Sequence, residues 1–188
     1  MEKYVYTLTD FLHRVSKAAE KAENLNYQTS DNLKSFSLPD IEPTANEVSG
    51  YSGLNGTVQV IDWAAIGALD MNLTFSTMPE CSNLYSPEKQ MHSLTWVEQY
   101  TDKNGNVGYV TYVVEGSGML KKIPGGDRAK GDNSDKEFTI ALNSYKLTRK
   151  YDTEEAATVI IDYDPINKKL VLGGVDFAAK LNTAMASF

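Results

Sequence analysis

"SLTWVEQYTDKNGNVGYVTYVVEG", Ser93 to Gly116, decides the fold. Two runs rich in aromatic and β-branched residues flank "DKNGN". The Asn104-Gly105 pair inside it is the strongest short-range signal for a β-hairpin, because tight hairpin turns need backbone conformations that Asn and Gly adopt at little cost. The stretch therefore predicts two long antiparallel strands, with "GMLKKI" after them as a short strand or as the tail of the second.

Working outward, period-two alternation recurs. "ALDMNLTFST" sets Leu69, Met71, Leu73 and Phe75 against Asp70, Asn72 and Thr74, the pattern of a half-buried strand. "EFTIALNSYKLTRKYD" sets Phe138, Ile140 and Leu142 against Thr139, Ala141 and Asn143. "TVIIDY" and "KKLVL" read as strands joined by "DPIN", where Asp164 and Pro165 suit the first two turn positions. "LKSFSLPDIEP" is a strand with an extended exit, its prolines barring a central ladder position where they stand.

Pro43 to Thr57 offers turn chemistry without apolar periodicity and predicts a long loop, of the kind that is functional or disordered. Helices are expected in three places. Leu8, Leu12, Val15, Ala19 and Ala22 recur at helical spacing and predict a helix from Thr9 to Leu25. "MPECSNLY" suits a short helix to Tyr85, with a further turn starting at Ser86-Pro87. Phe177, Leu181, Ala184, Met185 and Phe188 share one face of a closing helix that Asp176 can cap. The expected class is mainly β (α+β), an antiparallel β-sandwich or partial barrel with flanking helices. Residues 1–32 form an N-terminal helical extension and 33–188 the β-domain, within a single domain overall.

Composition narrows the function. The chain has 188 residues and a net charge of −7, a balance that opposes general binding to a phosphate backbone. Cys81 is the sole cysteine, so no intrachain disulfide forms, as expected of a protein made in a reducing compartment. The start lacks the apolar core of a signal peptide, and "WAAIGAL" is too short to cross a bilayer, so no membrane partner is expected.

No motif in the chain meets the requirements of a known chemistry. "GGDRAKGDNSDKE", Gly125 to Glu137, spaces Gly126 and Gly131 like a phosphate-binding loop, but Asp132 stands where lysine belongs and a strand follows. A calcium loop starting at Asp102 fails at its twelfth position, Val113. His13, on the outer side of the predicted helix, and His92, ending a turn, make no metal spacing with Cys81. A Cys81–His92 thiol pair is a chance pairing on this reading. Glu98 and Glu115 can be drawn facing each other across the hairpin like a glycosidase pair, but a solvated strand face accounts for them. No catalytic residue, cofactor or metal site is expected, and the chain is not read as an enzyme. Open antiparallel sheets present unpaired edges, a liability that self-assembly puts to use.

The order "SFSLPDIEPTANEVSGYSGLNGTVQV", "ALDMNLTFS", "KGDNSDKEFTIALNSYKLTRKYD" and "IDYDPIN…LGGVDFAAKLN" resembles the major tail tube proteins of contractile-tailed bacteriophages over roughly Phe36 to Ala186. Its most specific parts are Leu38-Pro39 running into the loop with Leu54-Asn55-Gly56, the charged approach to a strand carrying Tyr145, and Asp164-Pro165-Ile166-Asn167 followed by Gly174-Val175-Asp176. The N-terminus departs from the family, whose members begin closer to the first strand. The resemblance implies a structural virion protein whose hexameric rings join their hairpins into one inner barrel. Those rings stack into the hollow tube through which DNA is ejected.

It further implies tail sheath, baseplate and tape-measure proteins as partners. DNA is met only in passage, and the location is the virion tail, assembled in the bacterial host cytoplasm. A contractile bacteriocin or genome-free injection tube fits the same resemblance. Under it, Tyr51, Leu54 and Asn55 are expected at the contact between rings. Glu98 and Glu115 are expected to put negative charge on the lumen. Asp127, Arg128, Lys130 and Asp132 would sit on a mobile loop between subunits. A carbohydrate- or protein-binding β-sandwich module, with aromatic contacts from "TWVEQY" and Trp63, is the alternative of another class.

Overall fold

In the computed structural model the described residues are 5–17, 25–49, 57–125, 135–177 and 179. The hairpin is the spine. Strands β7 (Gln90–Thr101) and β8 (Val107–Lys122) pair without a register break from Gln90↔Gly118 to Thr101↔Val107, so "GMLKKI" is largely the tail of β8. Asp102 organises the loop between them. Its Oδ1 accepts the N–H groups of Asn104 (2.8 Å) and Asn106 (2.9 Å), and its carbonyl accepts the N–H of Gly105 (3.0 Å). Gly105 has φ +81°, where a Cβ is strained. Gly105→Ala is expected to cost about 1–2 kcal/mol in urea unfolding with an unchanged m-value. A loss near zero would mean that the loop relaxes into another turn.

On one side of the hairpin lies β1 (Val5–Lys17), paired to β7 from Val5↔Thr101 to Lys17↔Gln90. This corrects the helix expected from Thr9 to Leu25 and, with it, the helical extension assigned to residues 1–32; residues 18–24 lie outside the described ones. The cause is a bulge. Register slips between Leu8 and Asp10, so the face shared with Tyr100, Glu98, Trp96, Leu94 and His92 is occupied by Tyr6, Leu8, Phe11, His13 and Val15. One inserted residue turns a period of two into a local spacing of three, which mimics a helix face. Leu12, counted in the helical stripe, lies on the opposite face. A two-residue strand, β2 (Gln28–Thr29), pairs with β1 at Val15 and Arg14.

On the other side β8 has two successive partners. Its first half pairs with β10 (Tyr145–Tyr151), from Tyr151↔Val110 to Lys146↔Glu115. Its second half pairs with β9 (Lys136–Leu142), from Gly118↔Leu142 to Lys122↔Thr139. Ser117 stands at the fork: its carbonyl accepts the N–H of Asn143 (2.6 Å), and its N–H donates to Ser144 Oγ (3.0 Å). Glycines flank it because a Cβ at Gly116 or Gly118 would lie 2.7 Å from a carbonyl oxygen, of Ser144 and Ala141 respectively.

From β9 the sheet continues to β6 (Leu69–Phe75) and β3 (Leu33–Ser37). From β10 it continues to β11 (Thr158–Asp164), β12 (Lys169–Leu172) and β13 (Val175–Asp176). The turn before β12 is the one expected from "DPIN": Asp164 Oδ1 accepts the N–H groups of Ile166 and Asn167, both at 3.1 Å. The two branches enclose one core. Met71, Leu73 and Phe75 of β6, with Phe138 and Ile140 of β9, pack with Val15, Leu94, Trp96 and Val114. Phe36 of β3 joins the layers, its ring 5.6 Å from Phe11 and 5.3 Å from Trp96.

Two further expectations are corrected. The loop from Pro43 to Thr57 is in large part a ribbon, β4 (Pro43–Ser49) against β5 (Thr57–Ile66), forming a sheet of its own. Thr44, Ala45 and Glu47 are exposed, so neighbouring positions of β4 face solvent alike and no apolar alternation marks the strand. The flanking helices are not found: among the described residues helix is confined to the 3-10 turn Ser82–Tyr85 and to residues 177 and 179. Ser86 ends that turn, because its N–H closes on Asn83 O and its extended backbone starts no further helix. Asp176 Oδ1 accepts the N–H of Ala179 (2.9 Å), the expected cap, while most of the closing segment lies outside the described residues. The fold is mainly antiparallel β, and the sheet does not close on itself.

Candidate assembly surface

Along β1 the inner side is hydrogen-bonded to β7 throughout, whereas β2 reaches only Arg14 and Val15 on the outer side. Ser30 extends this cover by one bond, donating its N–H to His13 O (2.9 Å). Over residues 7–12 no strand lies on the outer side among the described residues. That is an open sheet edge, partly occupied by its own side chains: Asp10 Oδ1 accepts the Phe11 N–H (2.8 Å) and the Thr9 hydroxyl donates to Thr7 O (3.3 Å).

An uncovered face adjoins this edge. Trp96 is buried and stacks on Tyr112, with centroids 5.0 Å apart and planes at 11°. Past Trp96 the same face opens to solvent, and exposure reaches 42% at Tyr6 and 48% at Leu8. Tyr100 sits between Tyr6 (6.1 Å) and Tyr151 (5.6 Å), and the Arg149 guanidinium lies 4.8 Å over the Tyr151 ring. Asp152 fastens this end: one carboxylate oxygen accepts the Tyr109 N–H (3.0 Å) and the other the Tyr100 hydroxyl (3.3 Å). Burial, and then Asp152, push the Tyr100 hydroxyl above its ordinary range, so it remains a donor. Sequence reasoning missed this surface; the alternation of Tyr6 and Leu8 in "VYTL" was the available signal.

The two glutamates are not brought together. Glu98 lies opposite Val110 on the face that carries Trp96, and its Oε1 accepts the indole N–H at 3.1 Å. Glu115 lies opposite Ser93 and Lys146 on the other, uncovered face. The pair drawn across the hairpin therefore does not form, and the two side chains point to opposite faces of the sheet. Basic residues stand near Glu115 in the register. Lys146 is its cross-strand neighbour, and Glu115 and Arg14 act with opposite sign on the Tyr27 hydroxyl, which burial has already pushed up. Tyr51, Leu54, Asn55, Asp127, Arg128, Lys130 and Asp132 all lie outside the described residues.

The histidines are not where a helix and a turn end would put them. Both are buried and stack on each other, His13 Nε2 lying 3.2 Å from His92 Nδ1. Burial, and then His92, hold His13 well below its ordinary range, and burial lowers His92 to about 3. Cys81 turns its thiol to Gln28 Oε1 (3.6 Å), so no thiol–imidazole pair forms with His92. Among the described residues no three His, Cys, Asp or Glu side chains are grouped to hold a metal ion. No helix among them is long and apolar enough to cross a membrane.

The family model described as Phage tail tube protein FII matches residues 26–185. No curated protein matches the chain. A solved chain of the PVC sheath-tube complex, from an extracellular contractile injection system in the extended state, is 16% identical. The match covers 72% of this chain and 86% of that one, with a TM-score of 0.42. A chain of the PVC sheath/tube terminator is 15% identical over 73% and 91%, with a TM-score of 0.45. A chain of the anti-feeding prophage (AFP) baseplate is 14% identical over 79% and 91%, with a TM-score of 0.34. With 160 consecutive residues under the family model, this chain belongs to the phage tail tube protein FII family and is a structural tail tube protein.

Proposed function

We propose that six copies close into a ring, with the open outer edge of β1 in one copy pairing with a strand edge of the next, and that rings stack into the hollow inner tube of a contractile tail. The observation that carries this is the edge over residues 7–12 beside the uncovered Leu8, a combination that stable monomers avoid and a cyclic arrangement of sheets removes. The number six comes from the resemblance. The layer built from β3, β6 and β9 then faces outward and the opposite face of the hairpin faces the bore. This leaves Glu115 as a lumen residue and withdraws Glu98 from that role.

The ribbon of β4 and β5 projects about 20 Å, at roughly 3.3 Å per residue. An isolated hairpin is marginal in water, so a neighbouring ring is its natural cover, with Tyr51, Leu54 and Asn55 at the contact. Asp127, Arg128, Lys130 and Asp132 would meet complementary charges on the adjacent subunit. Sheath, baseplate and tape-measure proteins are the outer, lower and inner partners, and the setting is the tail of a particle assembled in the host cytoplasm. In a phage the tube would pass DNA; a genome-free bacteriocin or injection tube fits the same subunit equally. The reading predicts that concentrated purified protein forms hollow tubes or stacked rings in electron micrographs. Strictly monomeric particles at every concentration would sink it.

A further inference from the structure

Four polar side chains buried between β1, β2 and β7 remain without a role in assembly. Ser30 Oγ lies 2.9 Å from His13 Nδ1, and His13 Nε2 lies 3.2 Å from His92 Nδ1. Gln90 Nε2 donates to Leu84 O (3.1 Å) and Ser86 O (2.7 Å). That fixes its amide, with Oε1 left as an acceptor. Gln90 Oε1 and His92 Nε2 are both buried and have no protein partner. They stand two residues apart on one face of β7, so their side chains are neighbours and a single enclosed water can bridge them.

Two proton arrangements satisfy the row: in one the water accepts from one neighbour and donates to the other, and in the reverse one it donates to both. If His92 Nε2 carries hydrogen toward Gln90, His92 Nδ1 is an acceptor. His13 Nε2 must then donate to it, and His13 Nδ1 must accept the Ser30 hydroxyl proton. We propose that Ser30, His13, His92 and Gln90 form a one-way hydrogen-bond chain, closed by an enclosed water between His92 and Gln90. This chain fastens β2 to the edge strand β1 and is undone when the imidazoles take up protons.

The surroundings give protons no compensation. Arg14 and Lys17 of β1, Asp31 after β2, Glu88 and Lys89 just before β7, and Glu115 of β8 are all exposed, and Glu98, the one charged residue within β7, is turned to the Trp96 indole. From the 3-10 turn, Cys81 turns to Gln28 and the Tyr85 hydroxyl donates to Pro79 O. One added proton is a buried charge without a counter-ion. A second removes the lone pair on which the His13–His92 bond depends. The sign follows from the lowered values of both rings: the closed state binds fewer protons than an opened one. The latch is therefore intact above the ordinary histidine range near 6.5 and weakens progressively below it, toward the closed-state value of about 3 for His92. Opening would free the last covered stretch of the β1 edge.

The test uses the full chain at low concentration. Imidazole 15N shifts near neutral pH are expected to place hydrogen on Nε2 of both rings; hydrogen on Nδ1 of either would overturn the chain. Amide exchange, corrected for intrinsic rate, is followed from about pH 7 to about pH 4. Residues 14, 15 and 28–30 are expected to lose at least about ten-fold more protection than Leu94 and Val114, a difference of roughly 1.4 kcal/mol in opening. His13→Gln, or His92→Gln should the first fail to fold, is expected to abolish that acid response. An unchanged response in a folded variant, or simultaneous opening of β7 and β8, would overturn the proposal.

Discussion

Phe138→Ala is expected to cost about 3–5 kcal/mol of unfolding free energy, a large part of the 5–15 kcal/mol typical of a domain. The side chain is fully buried on β9, opposite Leu73 of β6. Its ring meets Phe75 edge to face (5.4 Å, 87°) and Tyr85 in the same manner (5.8 Å, 73°). Both neighbours are held in place, Phe75 by full burial and Tyr85 by a 2.9 Å bond to Pro79 O, so little can move into the space left. Urea unfolding with an unchanged m-value would report the loss directly. A loss under about 1 kcal/mol would show that the two branches of the sheet do not pack as described.

The second large effect concerns assembly rather than folding. Leu8→Lys places a charge on a half-exposed position of the open edge, where the isolated chain should lose no more than about 0.5 kcal/mol. In the proposed ring the same position is covered by the next copy, and an unpaired ammonium would have to give up water. The concentration at which tubes first sediment should rise at least about ten-fold, the equivalent of roughly 1.4 kcal/mol per contact. Equal critical concentrations for variant and parent, with both forming tubes in micrographs, would remove β1 from the ring contact.

These elements differ in how plainly the residues announce them. The hairpin was legible from Asn104-Gly105 between runs of aromatic and β-branched residues, and β6 because one face is buried along an unbroken register, so its polarity alternates without a slip. The "DPIN" turn was legible because Asp164 does what its position implies. β1 was not, since the slip after Leu8 mixes residues of two faces into one apparent helical stripe. β4 escaped because its exposed positions leave hydrophobicity nothing to report. The relation of Glu98 to Glu115 was available but unused. Once Thr101 is set opposite Val107, Glu115 falls opposite Ser93, an odd step along β7 from Glu98, and the two must point to opposite faces. Burial of His13 and His92 followed from β1 being a strand, so one missed bulge hid the latch as well.

The fork at Ser117 bears on how the subunit carries load. β8 is one uninterrupted strand that belongs to the uncovered sheet through β10 and to the enclosed sandwich through β9. A pull along its length is shared at once by both ladders, and the hydrogen bonds on either side resist it in shear, all together, rather than opening one after another. Where Gly116 and Gly118 flank Ser117 the neighbouring backbone comes so close that a Cβ would lie 2.7 Å from a carbonyl oxygen, so the layers are held tightly together there. The strand ties the two layers to each other. In a tail tube subunit under load, such a member resists the parting of its two layers.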